Sequence, residues 1–255
     1  MRRKPSTAIS IVLFVVYIAI IFAFWSAKDF KYDEVSDTVE NVKNGVVFPV
    51  GVGALFLALA ATVLGWWGPA IKEPLTIGTK ATKLIVPALV IGAGLNLVVT
   101  DWDNVTGEFA LWLVIGVLLV GFSEEMLCRG LGLVGFRGSM PERKAWIASG
   151  LMFGILHVPN AFFGQSALLT VQQILFAFVF GTVYYTVRRA TGTLIIPMML
   201  HALWDGSLFV NDHSGKTASP IANIFMAAAA ILTGIAIRHW MKADKENPVT
   251  QVATA

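Results

Sequence analysis

The sequence predicts an all-α, polytopic membrane protein with about eight transmembrane helices, and three observations carry that reading. Hydrophobic residues make up 56% of the 255 positions and charged residues only 14%. The mean hydropathy is +0.71, and a soluble domain needs more polar surface than this composition offers. A helix needs about 20 mostly apolar residues to cross the hydrocarbon, and windows that qualify begin near residues 9, 46, 84, 109, 145, 167, 191 and 218. The charges between those windows alternate in sign. With Arg2, Arg3 and Lys4 taken as cytoplasmic, eight crossings put 15 of the 19 Lys and Arg on that side, as the positive-inside rule requires. Lys28, Lys31, Lys43 and Lys216 fall on the other side, with most of the acidic residues.

The first window runs from Ile9 to Trp25, and Ser26-Ala27-Lys28 after it offers no clear small-x-small cleavage site. A retained helix is therefore expected in place of a cleaved signal peptide. Residues 1–240 read as one transmembrane domain without internal repeats, and 241–255 as a disordered cytoplasmic tail. Both termini are expected in the cytoplasm, and the cell membrane is the expected location. The pI near 9.0 comes from basic residues dispersed over cytoplasmic loops, so no nucleic-acid partner is expected. Cys128 is the single cysteine, which excludes an intramolecular disulfide and any cysteine-based metal cluster. As a thiol nucleophile it has only Arg129 nearby to activate it, and it is the weaker candidate.

The fourth window holds the first group of chemical interest. From Phe109 to Ser123 there are 15 uncharged residues, about 22 Å of helix, too short for a core of about 30 Å. The helix must continue through Glu124, Glu125 and Arg129 toward the uncharged stretch 130–136. A charge at the bilayer centre costs about 3 kcal/mol on insertion scales, so such residues usually pair and mark a working site. Glu125 and Arg129 are four apart and share a face, while Glu124 points about 100° away. The pair can neutralise itself, leaving Glu124 free for chemistry.

Two further windows supply partners. His157 follows Phe153 by four residues and precedes Pro159; His201 follows Pro197 and precedes Asp205 by four. Each proline is expected to disturb a helix four residues earlier, at Ile155 and Thr193. Irregular backbone at that depth survives only where protein or a water-filled cavity receives it.

The ordered set Glu124-Glu125-x-x-x-Arg129, Phe153-x-x-x-His157 and His201-x-x-x-Asp205, on three apolar segments, resembles the signature of the CPBP intramembrane proteases. This family, also called the CAAX protease and bacteriocin-processing, or Abi, family, includes the type II CAAX prenyl endopeptidase. The resemblance spans about 40% of the chain, residues 107–209, and gives a protease core at about 107–210. It implies that Glu124 activates a water together with His157, that His201 and Asp205 stabilise the oxyanion, and that Glu125, Arg129 and Phe153 support the site. Position 205 is often asparagine in the family. Asp205 donates a hydrogen bond only when protonated, so it acts either as that donor or, the favoured alternative, as an acceptor orienting His201.

A mechanism without a cofactor is the expected one, with zinc on Glu124, His157 and His201 as the alternative. The expected substrate is a membrane-associated or lipidated peptide or protein met in the lipid bilayer, and its identity lies beyond the sequence. Two other functions are weighed: a noncatalytic scaffold or bacteriocin-immunity protein of the same fold, and a proton-coupled transporter using Glu124 and Asp205, which the absence of repeated halves disfavours. Cysteine-accessibility labelling tests the topology. A cysteine at position 34 should label from outside and one at 140 from inside; labelling of both from one side contradicts eight crossings.

Overall fold

The structure is a computed structural model that describes residues 3–74, 76 and 78–246. Nine helices are named here: α1 Thr7–Ala27, α2 Val39–Leu64, the short α3 Trp67–Ile71, α4 Thr82–Val99, α5 Gly107–Arg137, α6 Glu142–Ile155, α7 Ala167–Thr191, α8 Ile195–His213 and α9 Pro220–Glu246. Hydroxyl caps start four of them. Ser6, Thr38, Thr106 and Ser166 accept from the backbone N–H three residues on, satisfying donors that a first turn leaves orphaned. Gly65 and Gly192 end α2 and α7 in the left-handed region, at φ 69° and 77°, where a side chain would clash. Among the described residues there is no sheet; Lys72 and Thr193 form an isolated bridge.

Among the described residues seven helices are long and apolar enough to cross a membrane: α1, α2, α4, α5, α6 with its continuation to Phe162, α7, and α9 as far as Lys242. The eighth expected span forms as α8, whose 19 residues are long enough but too polar to join that set. Its His201, Asp205, Asn211 and Asp212 explain why. α8 is packed against α4, α5 and α7, where His201 and Asn211 are buried and Asp205 half-buried among protein groups, while Asp212 near the helix end is exposed. Seven apolar helices among the described residues, with a polar eighth packed against three of them, make the chain an integral membrane protein. The last helix continues to Glu246, so the first residues of the expected disordered tail are helical; 247–255 lie outside the described residues.

The two prolines act differently from each other. Pro159 ends α6 at Ile155, as expected, and the chain continues as a 3-10 turn over Val158–Phe162. Pro197 is the third residue of α8, where an N–H would have no helical partner, so it starts a helix instead of kinking one. The break falls at Gly192–Leu194 between α7 and α8 and includes Thr193, the expected position.

The helix through the glutamates is continuous, but it is not α throughout. Residues Met126–Gly132 form a π-helical stretch inside α5. Other elements supply donors to carbonyls in this stretch: Ser149 to Cys128 at 2.9 Å, Ser10 to Gly132 at 3.0 Å, and Arg188 to Arg129. At the end of α5, Arg137 pairs with both Glu73 and Glu142, Arg188 pairs with Glu73 and Arg189 with Glu142, all of them buried. Four of the fifteen basic residues counted toward the topology, Arg129, Arg137, Arg188 and Arg189, therefore sit inside the protein with partners.

Helix α8 approaches α5 most closely at Gly121, one turn before the glutamates. A Cβ there would collide with the Met198 carbonyl and lie 3.1 Å from Ala202 Cβ. Gly121→Ala is therefore expected to push His201 away from Glu125 and to destabilise by about 1–3 kcal/mol, the usual cost of overpacking. A melting temperature in detergent equal to wild type would contradict this close approach.

Candidate active site

Two residues of the site, Arg129 and His201, are held by Glu125. Its carboxylate is fully buried, as is the Arg129 guanidinium. Arg129 reaches back one turn and binds it with two nitrogens, Nε to Oε2 at 2.7 Å and Nη2 to Oε1, the bidentate geometry that makes such pairs strong. The guanidinium carbon lies 4.0 Å from the Phe153 ring centroid, a cation–π contact that holds its face. The same Oε1 also meets His201 Nδ1 at 3.0 Å. An ionised carboxylate can only accept, so Nδ1 carries the proton.

His201 is clamped around that bond. Tyr184 stacks on it with centroids 5.2 Å apart and planes at 19°, and the edge of Phe153 meets it at 5.5 Å and 89°. Its other nitrogen, Nε2, faces Asp205 Oδ2 at 3.3 Å and Glu124 Oε2 at 3.8 Å. Asp205 thus meets the imidazole one turn away, as the spacing predicts. The carboxylate that occupies Nδ1, and so sets the tautomer, is Glu125 from the neighbouring helix; Asp205, one turn along α8, reaches only Nε2. Glu125 therefore does more than neutralise Arg129.

Glu124 points away from this pair, as the helical offset predicts. Its side chain is 17% exposed and that of Asp205 24%, against 0% for Glu125. Both line a cavity of about 300 Å³ that His157 and His201 also enter. His157 donates from Nδ1 to the Phe153 carbonyl at 3.0 Å, since a carbonyl only accepts, and Nε2 is left as an acceptor. The rest of the wall is mainly apolar and aromatic, from Ile18, Ile21, Val46, Val50, Phe176, Phe180, Trp204 and Leu208. A carboxylate and an imidazole lone pair beside an apolar cavity can accept protons from a bound water.

All seven sequence-predicted residues meet here: Glu124, His157, His201 and Asp205 on the cavity, Phe153 against both histidines, and Glu125 with Arg129 behind His201. Sequence reasoning missed Tyr184, Tyr32, Asn160 and Gln173, which also line the cavity. Gln173, a polar residue inside an apolar span, was a usable signal; Tyr32 in a connecting loop gave none. Cys128 is fully buried. Among the described residues no group of three His, Cys, Asp or Glu converges as a metal site.

Two comparisons with known proteins bear on this site. Residues 106–207 match the family model described as type II CAAX prenyl endopeptidase Rce1-like, and every catalytic candidate falls within that segment. A curated protein, the peptide transporter YePEPT of Yersinia enterocolitica subsp. palearctica serotype O:3 (strain YE-P4), is 28% identical over 166 residues, covering 60% of this chain. The chain spans only about a third, 32%, of that transporter's length.

Arg129→Ala would leave Glu125 buried without its cation, a loss of about 3–5 kcal/mol for a desolvated pair. Thermal unfolding in detergent should show it as a clear drop; equal stability of variant and wild type would remove the structural role of the pair.

Proposed function

From the Rce1-like CAAX protease domain that residues 106–207 carry, we propose that the protein is an intramembrane endopeptidase that hydrolyses peptide bonds of membrane-associated or lipidated peptides with a glutamate-activated water. The observation that supports this best is the division of labour between adjacent glutamates. Glu125 is committed to Arg129 and His201, while Glu124 faces the cavity together with His157. A water held between the Glu124 carboxylate and His157 Nε2 gives one proton to Glu124 as its oxygen attacks the scissile carbonyl carbon. The carbonyl π electrons move onto oxygen. On collapse the C–N bond breaks and Glu124 returns the proton to the leaving nitrogen.

His201 and Asp205 serve the developing charge. With Nδ1–H directed at Glu125, Nε2 can donate only as imidazolium, and Glu124 and Asp205 are its counter-charges. The apolar wall limits bulk water, which strengthens such interactions. The protein is proposed to lie in the cell membrane with both termini cytoplasmic. A second reading draws on the similarity to a peptide transporter, in which Glu124 and Asp205 carry protons during passage of an intact peptide. A noncatalytic scaffold would need neither cleavage nor flux.

One reconstitution separates these readings. Wild-type protein in liposomes with internally quenched hydrophobic peptides should release fragments, and Glu124→Gln should abolish cleavage while leaving yield and melting temperature near wild type. Intact peptide accumulating in the lumen without fragments would favour transport, and undiminished cleavage by Glu124→Gln would refute the assigned base.

A further inference from the structure

The cavity wall also carries three neutral polar groups that this mechanism leaves unused. Asn160 Nδ2 donates to Gln173 Oε1 at 2.9 Å, and Gln173 Nε2 donates to the Tyr32 hydroxyl at 3.0 Å. All three line the cavity that holds Glu124, His157 and His201. They come from separate parts of the chain. Asn160 lies in the 3-10 turn three residues after His157, Gln173 on α7, and Tyr32 in the connection between α1 and α2, outside the matched segment 106–207. The Tyr32 backbone is held as well, its N–H donating to the Phe163 carbonyl at 2.6 Å.

This chain of groups has a direction. An amide oxygen only accepts and an amide nitrogen only donates, so Asn160 on the oxygen of Gln173 turns its nitrogen to Tyr32 and makes the tyrosine oxygen an acceptor. The hydrogen bonds among the described residues include none in which the Tyr32 hydroxyl donates. Its own proton is therefore available to a cavity occupant. Burial, opposed by hydrogen bonds from the Gln173 and Asn160 amides and reinforced by the Asp205 and Glu124 carboxylates, pushes the hydroxyl up to about 12, so it stays protonated at working pH. By contrast, Glu124 and His157 Nε2 present acceptors to the same space. A peptide carbonyl there needs a donor.

Resting on the hydrolase reading, we propose that Tyr32 is a catalytic hydrogen-bond donor: its hydroxyl binds the oxygen of the scissile carbonyl and binds it more strongly as that oxygen becomes the tetrahedral anion. The tyrosine keeps its proton throughout; the proton of the attacking water goes to Glu124 and on to the leaving nitrogen. Asn160 and Gln173 are positioning residues that act through the hydroxyl. An element of the N-terminal part of the chain thereby completes a site otherwise built from α5, α6 and α8.

The test uses the full chain in liposomes and one quenched peptide that the wild type cleaves. Tyr32→Phe keeps the ring and removes the donor, so kcat should fall about 100-fold with KM within about twofold, the pattern of an interaction made mainly in the transition state. Gln173→Glu is the second variant. A carboxylate accepts from the tyrosine and draws its proton away from the cavity, so the same loss of kcat is expected with the hydroxyl still present, which a space-filling role would not produce. Should Tyr32→Phe fail to fold, Gln173→Glu decides by the same kcat readout. Cleavage by the wild type with unchanged kcat in the folded variant overturns the inference and leaves the hydrolase reading standing; no cleavage by the wild type overturns both.

Discussion

The carboxylate of Glu125 is the point on which the site depends. It is fully buried and binds Arg129 from its own helix and His201 from the next but two. Neither the anion nor the guanidinium would be tolerated alone at that depth. Together they form a neutral unit whose Oε1 keeps a lone pair for a histidine. Because that position takes Nδ1, the orientation of His201 and the identity of the nitrogen facing the cavity follow from it. Glu124, one residue earlier and about 100° around the helix, is then the carboxylate that faces the cavity.

The surrounding fold keeps this arrangement rigid. The π-helical stretch of α5 presents carbonyls to Ser149, Arg188 and Ser10, which ties α6, α7 and α1 to the segment that carries Arg129. Gly121 lets α8 come against α5. Tyr184 stacks on His201 and Phe153 meets its ring at right angles. The lattice of Glu73, Glu142, Arg137 and Arg188 at the end of α5 satisfies charges that would otherwise face lipid or each other. Each device restrains a backbone or a ring near the cavity, which is what preorganised donors and acceptors require.

Much of this was legible in the sequence, for specific reasons. Long apolar runs disclosed the helices, and an apolar run too short to span showed that α5 must carry Glu124 and Glu125 into the membrane. Helical spacing paired Glu125 with Arg129 and sent Glu124 elsewhere. Two features were not readable. Local spacing on α8 joins His201 to Asp205, a contact that forms at Nε2, but the partner of Nδ1 is Glu125, 76 residues away in the chain. Tyr32 belongs to the cavity only because α1 and α2 bring their connection over it.

The most direct test of the account is the protonation of His201, read by ¹⁵N NMR of selectively labelled protein in lipid nanodiscs over roughly pH 5 to 9, the range in which histidine titrates. Nδ1 should carry a proton throughout, whatever the state of Nε2, and should lose its hydrogen-bonded signature in Glu125→Leu. A neutral His201 with its proton on Nε2 and a bare Nδ1 would contradict the claim that Glu125 organises the site.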